Sequence, residues 1–201
     1  MWATMNTQGG LRERKKLAAM RRIQAMALDL FDEFGFENVT IEQIAAAAEV
    51  SPSSVYRYFG TKEGVVLWDE GDIEFVEAVQ TEMSGHSPVE AVRRAMAQVL
   101  AAYFEANEER AKRLTRLLFE EPALRSAQLE QVNGFTAMVA AALAHASGRE
   151  ESDLDVQVVA TVLVGALMVA ARHWYDTGYK TSLQEEMEQA LAVVEGGLKL
   201  E

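Results

Sequence analysis

Apolar residues recur along this chain at intervals of three and four, the repeat of an α-helix packed on one face. Leu17, Met20, Ile23, Ala27, Leu30, Phe31 and Phe34 form the first such stripe, which predicts a helix from about Leu11 to Phe34 stopped by Gly35. Sustained alternation with β-branched enrichment, the mark of a strand, is nearly absent. Thr40 followed by Gln43 is a capping-box pattern and opens a short helix through "IEQIAAAAEV". Ser51 is a natural N-cap, and Pro52 stands where a helix tolerates proline best, so a third helix is expected over 52–59. Gly60 ends it, and Thr61 caps a long fourth helix reaching roughly Met83. "SGHSP" (84–88) looks like a boundary. Further helices are expected near 88–107, 109–120, 122–147, 153–176 and 182–199, the last with a second capping box, Ser182 with Glu185. The fold class is all-α.

Composition narrows what such a chain can do. There is no cysteine, which excludes disulfides, thiolate catalysis and cysteine metal sites. His86, His145 and His173 show no metal-ligand spacing, and no metal or cofactor is expected. Nothing reads as a signal peptide, and the most apolar run, 158–171, is short for a bilayer span, so a soluble, cytoplasmic protein with no membrane partner is expected. The net charge of −12 is unevenly placed. Residues 1–62 carry eight basic residues against seven acids, and the remainder 11 against 24. Two parts with different partners follow from that division.

The stretch "SPSSVYRYFGTK" (51–62) sets hydroxyls, two tyrosines and cations behind an alanine-rich helix. Helix, turn and helix over 40–59 make a helix-turn-helix, whose second helix can enter a major groove. Short hydroxyl side chains at its N-terminus allow close approach to phosphates, while tyrosine and arginine reach phosphates or base edges. Val55 and Phe59, four apart, form its buried side.

"ALDLFDEFGFENVTIEQIAAAAEVSPSSVYRYFGTKEGVV" resembles the DNA-binding domain of the TetR family of bacterial repressors. Phe31, Gly35, Thr40, Ile44, Ala45, Val50, Ser51, Tyr56, Tyr58, Phe59 and Lys62 occupy the positions of that family's pattern, over residues 17 to 68. Glu49 departs from it, standing where the family often has glycine. The resemblance implies an N-terminal three-helix helix-turn-helix domain (1–62) and a C-terminal helical ligand-binding and dimerisation domain (63–201). It assigns Ser53, Ser54, Tyr56 and Arg57 to groove or adjacent phosphate contacts and Thr40, Tyr58 and Lys62 to the backbone of a double-stranded operator, with Ser51 also among the DNA-binding residues.

The resemblance also implies a homodimer through the last two long helices. The small residues Ala160, Gly165, Ala166 and Ala170, with Leu183, Met187, Leu191 and Val194, are the expected interface. A pocket for a small apolar effector, of an acyl-CoA-like class, is expected among Phe104, Leu117, Phe119, Phe135, Met138, Met168 and Trp174. Arg116, Asn133, Arg172 and His173 are the candidate polar orienters. The segments "RLLFEEPALRS" and "VLVGALMVAARHWYDTG" resemble an actinobacterial branch associated with such ligands. The whole reads as a ligand-responsive transcriptional regulator, a repressor with an activator of the same family as the alternative, and with no enzymatic constellation. A helical interaction adaptor is the rival, and it leaves the Ser-Pro-Ser-Ser and Tyr-Arg-Tyr runs without a purpose.

Overall fold

The computed structural model describes residues 7–103 and 108–199, and every regular element among them is helical. The chain divides into two compact units, Met1–Trp68 and Asp69–Glu201. The first holds α1 (Thr7–Phe34), α2 (Ile41–Ala47), α3 (Pro52–Phe59) and α4 (Lys62–Leu67). The second holds α5 (Gly71–Glu82), α6 (Pro88–Tyr103), α7 (Glu108–Glu120), α8 (Arg125–Ser147), α9 (Leu154–Asp176) and α10 (Leu183–Glu195). A single 3-10 turn, Pro122–Leu124, leads into α8.

Helical spacing accounts for the first core. Met20, Ile23, Ala27, Leu28 and Phe31 of α1 are buried with Ile41, Ile44 and Ala45 of α2, Val55 of α3, and Val65 and Val66 of α4. Gln24 is buried among them, and its amide donates to the carbonyls of Val65 (2.8 Å) and Trp68 (2.9 Å). A buried amide left unbonded costs on the order of 1–3 kcal/mol, so these bonds hold the end of α4 against α1.

The long helix expected over 61–83 is broken. Trp68 is extended (ψ 119°), its ring meets Phe59 edge-on at 5.9 Å, and its carbonyl is taken by Gln24 rather than by a following turn. Asp69 then accepts from the Gly71 N–H (2.8 Å), and α5 starts afresh. The units therefore divide after Trp68, which places α4 with the first unit, and Ser84–Pro88 is only the turn between α5 and α6. The last helix ends at Glu195, short of the expected 199.

The second unit is a helical bundle. α9 supplies Val156, Ala160, Leu163, Val164, Leu167, Ala170 and Trp174 to its core, α8 supplies Val139, Ala140, Leu143 and Ala144, and α10 supplies Leu183, Met187 and Leu191. Phe75 of α5 stacks on Phe135 of α8 with centroids 5.5 Å apart. Polar ties fix the last helix: Arg93 on α6 binds Glu188 (3.0 Å) and Glu195 (2.9 Å) of α10. By length and composition α9 could cross a membrane, but its inward face is part of this core.

Candidate nucleic-acid interface

α2 and α3 are each opened by a side-chain cap. The Gln43 N–H donates to Thr40 Oγ1 (3.2 Å) while the Gln43 side chain accepts from the Thr40 N–H (2.8 Å), the capping box expected from sequence. At the start of α3 the Ser54 N–H donates to Ser51 Oγ (3.3 Å), and Pro52 occupies the first turn. Glu49 has φ 53°, so the residue where the family often has glycine does adopt the left-handed conformation. The Val50 N–H reaches back to the Ala45 carbonyl (2.9 Å) and closes α2.

With its ends satisfied internally, α3 turns a distinct face outward. Val55 is fully buried and Phe59 partly so, while Ser53, Tyr56 and Arg57 are exposed, Tyr56 by 49%. Ser54 and Tyr58 are half-buried at the margins. Ser51 Oγ lies 2.9 Å from both Ser53 Oγ and Ser54 Oγ. The Arg57 guanidinium donates to Tyr58 OH (3.2 Å) and Ser54 Oγ (3.4 Å), and lies 4.9 Å from the Tyr58 ring centroid. Hydroxyls, a phenol and a held guanidinium thus share one short helix, a surface suited to phosphate oxygens and base edges.

Lys62 is placed differently from the phosphate contact that the sequence suggests. Its ammonium donates to the carbonyls of Phe36 (2.6 Å) and Val39 (3.0 Å), and lies 4.3 Å from the Phe36 ring centroid. A third carbonyl, that of Glu37, is 3.4 Å away. All three donor positions of the ammonium face the α1–α2 connection, so Lys62 acts inward. No sequence signal distinguishes this clamp from a cation offered to DNA.

In the second unit the expected pocket residues scatter. Phe104 lies outside the described residues. Trp174 is fully buried, its indole N–H donates to the Thr181 carbonyl (2.8 Å), and its ring meets Tyr179 at 4.6 Å, so it is a core residue rather than a pocket wall. Leu117 is buried, Met168 packs against the core, and Asn133 and Met138 are exposed on α8. Arg172 lies over Phe119 (5.0 Å) and Tyr175 (5.6 Å) and pairs with Asp176 (2.8 Å), whose carboxylate holds the guanidinium pKa up. His173 Nδ1 is 2.6 Å from Glu186, and Arg116 is partly buried within electrostatic reach of Tyr179. Phe119 and Arg172 are thus brought together, whereas Asn133 and Met138 are not drawn inward.

Among the expected interface residues, Ala160, Ala170, Leu183, Met187 and Leu191 are buried inside this one unit, which corrects their assignment. Inward- and outward-facing small residues are alike in sequence, and only packing separates them. Gly165 is exposed, and Ala166 and Val194 are half-buried. The open face of α9 is instead carried by Leu154 (79% exposed), Val158 (50%) and Val169 (66%), in helical step with Gly165. Sequence reasoning also missed Tyr175 and Tyr179, whose hydroxyls donate to Glu120 Oε1 (2.7 Å) and to the Lys112 carbonyl (3.1 Å), and the Glu186 carboxylate held by Thr181 and His173.

A capped helix-turn-helix with a hydroxyl- and tyrosine-bearing second helix defines a DNA-binding regulator. The sequence matches the family model for bacterial regulatory proteins of the tetR family over residues 23–67. It also matches that for the MftR C-terminal domain over 86–199. The chain belongs to the TetR family of transcriptional regulators. It is 31% identical to the HTH-type transcriptional regulator TcmR of Streptomyces glaucescens over 180 residues, covering 83% of this chain and 77% of that protein. It is 24% identical to the putative mycofactocin biosynthesis transcriptional regulator MftR of Mycobacterium tuberculosis, covering 92% and 93%. Among solved structures it is similar to the repressor FadR of Thermus thermophilus in complex with lauroyl-CoA, with TM-score 0.55 and 25% identity over 90% of this chain and 96% of that one.

Proposed function

We propose that this regulator is a cytoplasmic repressor that binds an inverted-repeat operator as a homodimer and leaves it on binding a small apolar effector. The observation that carries the reading is the outward face of α3, where Ser53, Tyr56 and Arg57 are exposed on a helix whose N-terminus is already capped. Thr40, Ser51, Ser54 and Tyr58 flank that face and would meet the phosphate backbone. One helix of eight residues makes few base contacts, so two copies acting on related half-sites are needed for high affinity.

The dimer surface we assign is the open face of α9, Leu154, Val158, Gly165 and Val169. Exposed branched side chains around a glycine allow two such helices to pack closely, with the half-buried Ala166 and Val194 beside them. An acyl thioester is the effector class we favour, supported by the lauroyl-CoA complex of the Thermus protein. Phe119, Phe135 and Met168 remain candidate apolar contacts, with Arg116 and Arg172 as polar ones; no catalytic role is assigned. An effector shifts operator binding only through its different affinity for the two states, so operator must weaken effector binding by the same factor.

The test is operator capture followed by titration. DNA retained from genomic fragments should contain an inverted repeat, its binding should fall steeply with salt, and long-chain acyl-CoA should release it. Retention of fragments with no shared sequence would overturn operator recognition. Release by another apolar compound alone would overturn only the effector class.

A further inference from the structure

The positive charge of the first unit is gathered on the N-terminal half of α1. Residues 12–22 carry six cations, Arg12, Arg14, Lys15, Lys16, Arg21 and Arg22, and one acid. Residues 23–68, which hold the helix-turn-helix, carry two cations and seven acids. Of those two, Lys62 is turned inward onto backbone carbonyls, which leaves Arg57 on α3. Double-stranded DNA carries one negative charge per about 1.7 Å of its axis. A stretch as acidic as 23–68 is repelled by it before any groove contact forms.

Helix stability does not account for where these cations stand. All six side chains are exposed, and Met20 is the first buried one along α1 among the described residues. Side chains three and four apart are neighbours on a helix, and opposite charges at that spacing support it while like charges oppose it. Arg12, Lys15 and Arg22 have no acid three or four residues away on either side. Arg12 instead precedes Lys15 and Lys16 at these two spacings, so its helical neighbours repel it.

We infer that the N-terminal half of α1 is a second DNA-contacting element, in which Arg12, Lys15 and Arg22 meet phosphates of the duplex that α3 reads. At 1.5 Å per residue, Arg12 and Arg22 stand about 15 Å apart along the helix. One DNA strand presents about four phosphates over that rise, at 3.4 Å each. Such contacts carry no sequence information; they supply charge and hold the protein on the duplex, leaving the bases to Ser53, Tyr56 and Arg57. The inference rests on the DNA-binding reading of α3 and adds to it the source of the electrostatic affinity.

Arg12→Gln, Lys15→Gln and Arg22→Gln combined in the full chain test it, with binding followed from about 50 to 200 mM salt on captured operator and on a random duplex. Loss of three phosphate contacts should lower the slope of log affinity against log salt by about 2–3 units. It should weaken both duplexes alike, by at least about tenfold at the low-salt end. Arg12→Lys with Arg22→Lys should keep the parent slope, since either cation serves a phosphate. Circular dichroism should be unchanged, all three side chains being exposed. Should the triple variant fail to fold, Lys15→Gln alone decides, with an expected fall of about one unit. An unchanged slope, a loss confined to the operator, or a parent chain that binds neither duplex at low salt would overturn the inference. Equal binding of both duplexes by the parent chain would overturn operator recognition alone, and the random duplex then still decides on α1.

Discussion

The Lys62 ammonium sits 2.6 Å from the carbonyl oxygen of Phe36, twenty-six residues earlier, and caps the connection between α1 and α2 from beneath. That connection has few other partners for its carbonyls, because Gly35 ends α1 (φ 81°) and the next capped helix begins only at Thr40. A cation at the N-terminus of α4 is otherwise poorly placed, since helix dipoles favour cations at the opposite end. Its position follows from the carbonyls it satisfies.

Lys62→Ala should therefore act on stability before it acts on DNA. A hydrogen bond to a charged donor contributes about 1.5–3 kcal/mol, so a loss of roughly 2 kcal/mol from the first unit is expected. Chemical denaturation measures it. The salt slope of operator binding should keep its value in the folded variant, because no phosphate contact is removed; a slope lower by about one unit would reverse this assignment.

Tyr56→Ala and Arg57→Ala should each weaken operator binding by about 1–3 kcal/mol while leaving the fold intact. Both side chains project outward, so neither truncation opens a core cavity. Gel shifts on the natural operator, beside circular dichroism, read the two effects separately. Unchanged affinity in both variants would remove α3 from the interface.

Two backbone positions in the same unit respond in opposite directions. Glu49 is exposed at φ 53°, where an L-residue is strained, and Glu49→Gly should stabilise by about 0.5–1 kcal/mol. Gly64→Ala should do the reverse. A Cβ there would stand 2.1 Å from the Phe59 carbonyl oxygen, so the junction of α3 and α4 must shift. Thermal melting of the two variants should bracket the parent chain.

Val169→Glu should yield a folded monomer with little operator affinity, because Val169 is open to solvent in the single chain. Leu191→Glu should instead unfold the second unit, its side chain being buried within one copy. Sedimentation and circular dichroism distinguish these fates. A dimeric Val169→Glu variant would place the interface elsewhere.

Glu186 provides the acid limb of stability. Its carboxylate is buried between α9 and α10, accepts from the Thr181 hydroxyl and lies 2.6 Å from His173 Nδ1. The Thr181 bond, then that of His173, holds the carboxyl below its ordinary value. A folded pKa below the unfolded one gives stabilisation that is complete above the unfolded value, about 4.3, and is lost as pH falls through the folded one. The stability gap between the parent chain and Glu186→Gln should be widest at neutral pH and should close on acidification.

Local chemistry makes much of this protein legible in its sequence. Caps, breakers and the helical repeat are short-range effects, so Thr40 with Gln43, Ser51 with Pro52, and Ser182 with Glu185 mark helix starts that the structure contains. The helix-turn-helix is readable for the same reason: its caps, its left-handed turn at Glu49 and the outward Ser53, Tyr56 and Arg57 all lie within twenty residues.

Long-range packing decided the rest. The break at Trp68 depends on Phe59 and Gln24, and the inward turn of Lys62 depends on carbonyls that sequence does not mark as available. A helix apolar nearly all round carries no mark of which face meets its own core, so Ala160 and Val169 read alike along α9. Trp174 likewise suits a pocket wall by residue type, yet the Thr181 carbonyl and the Tyr179 ring enclose it in the core. Burial is a property of the neighbours that surround a side chain, and those neighbours are assembled only when the helices meet.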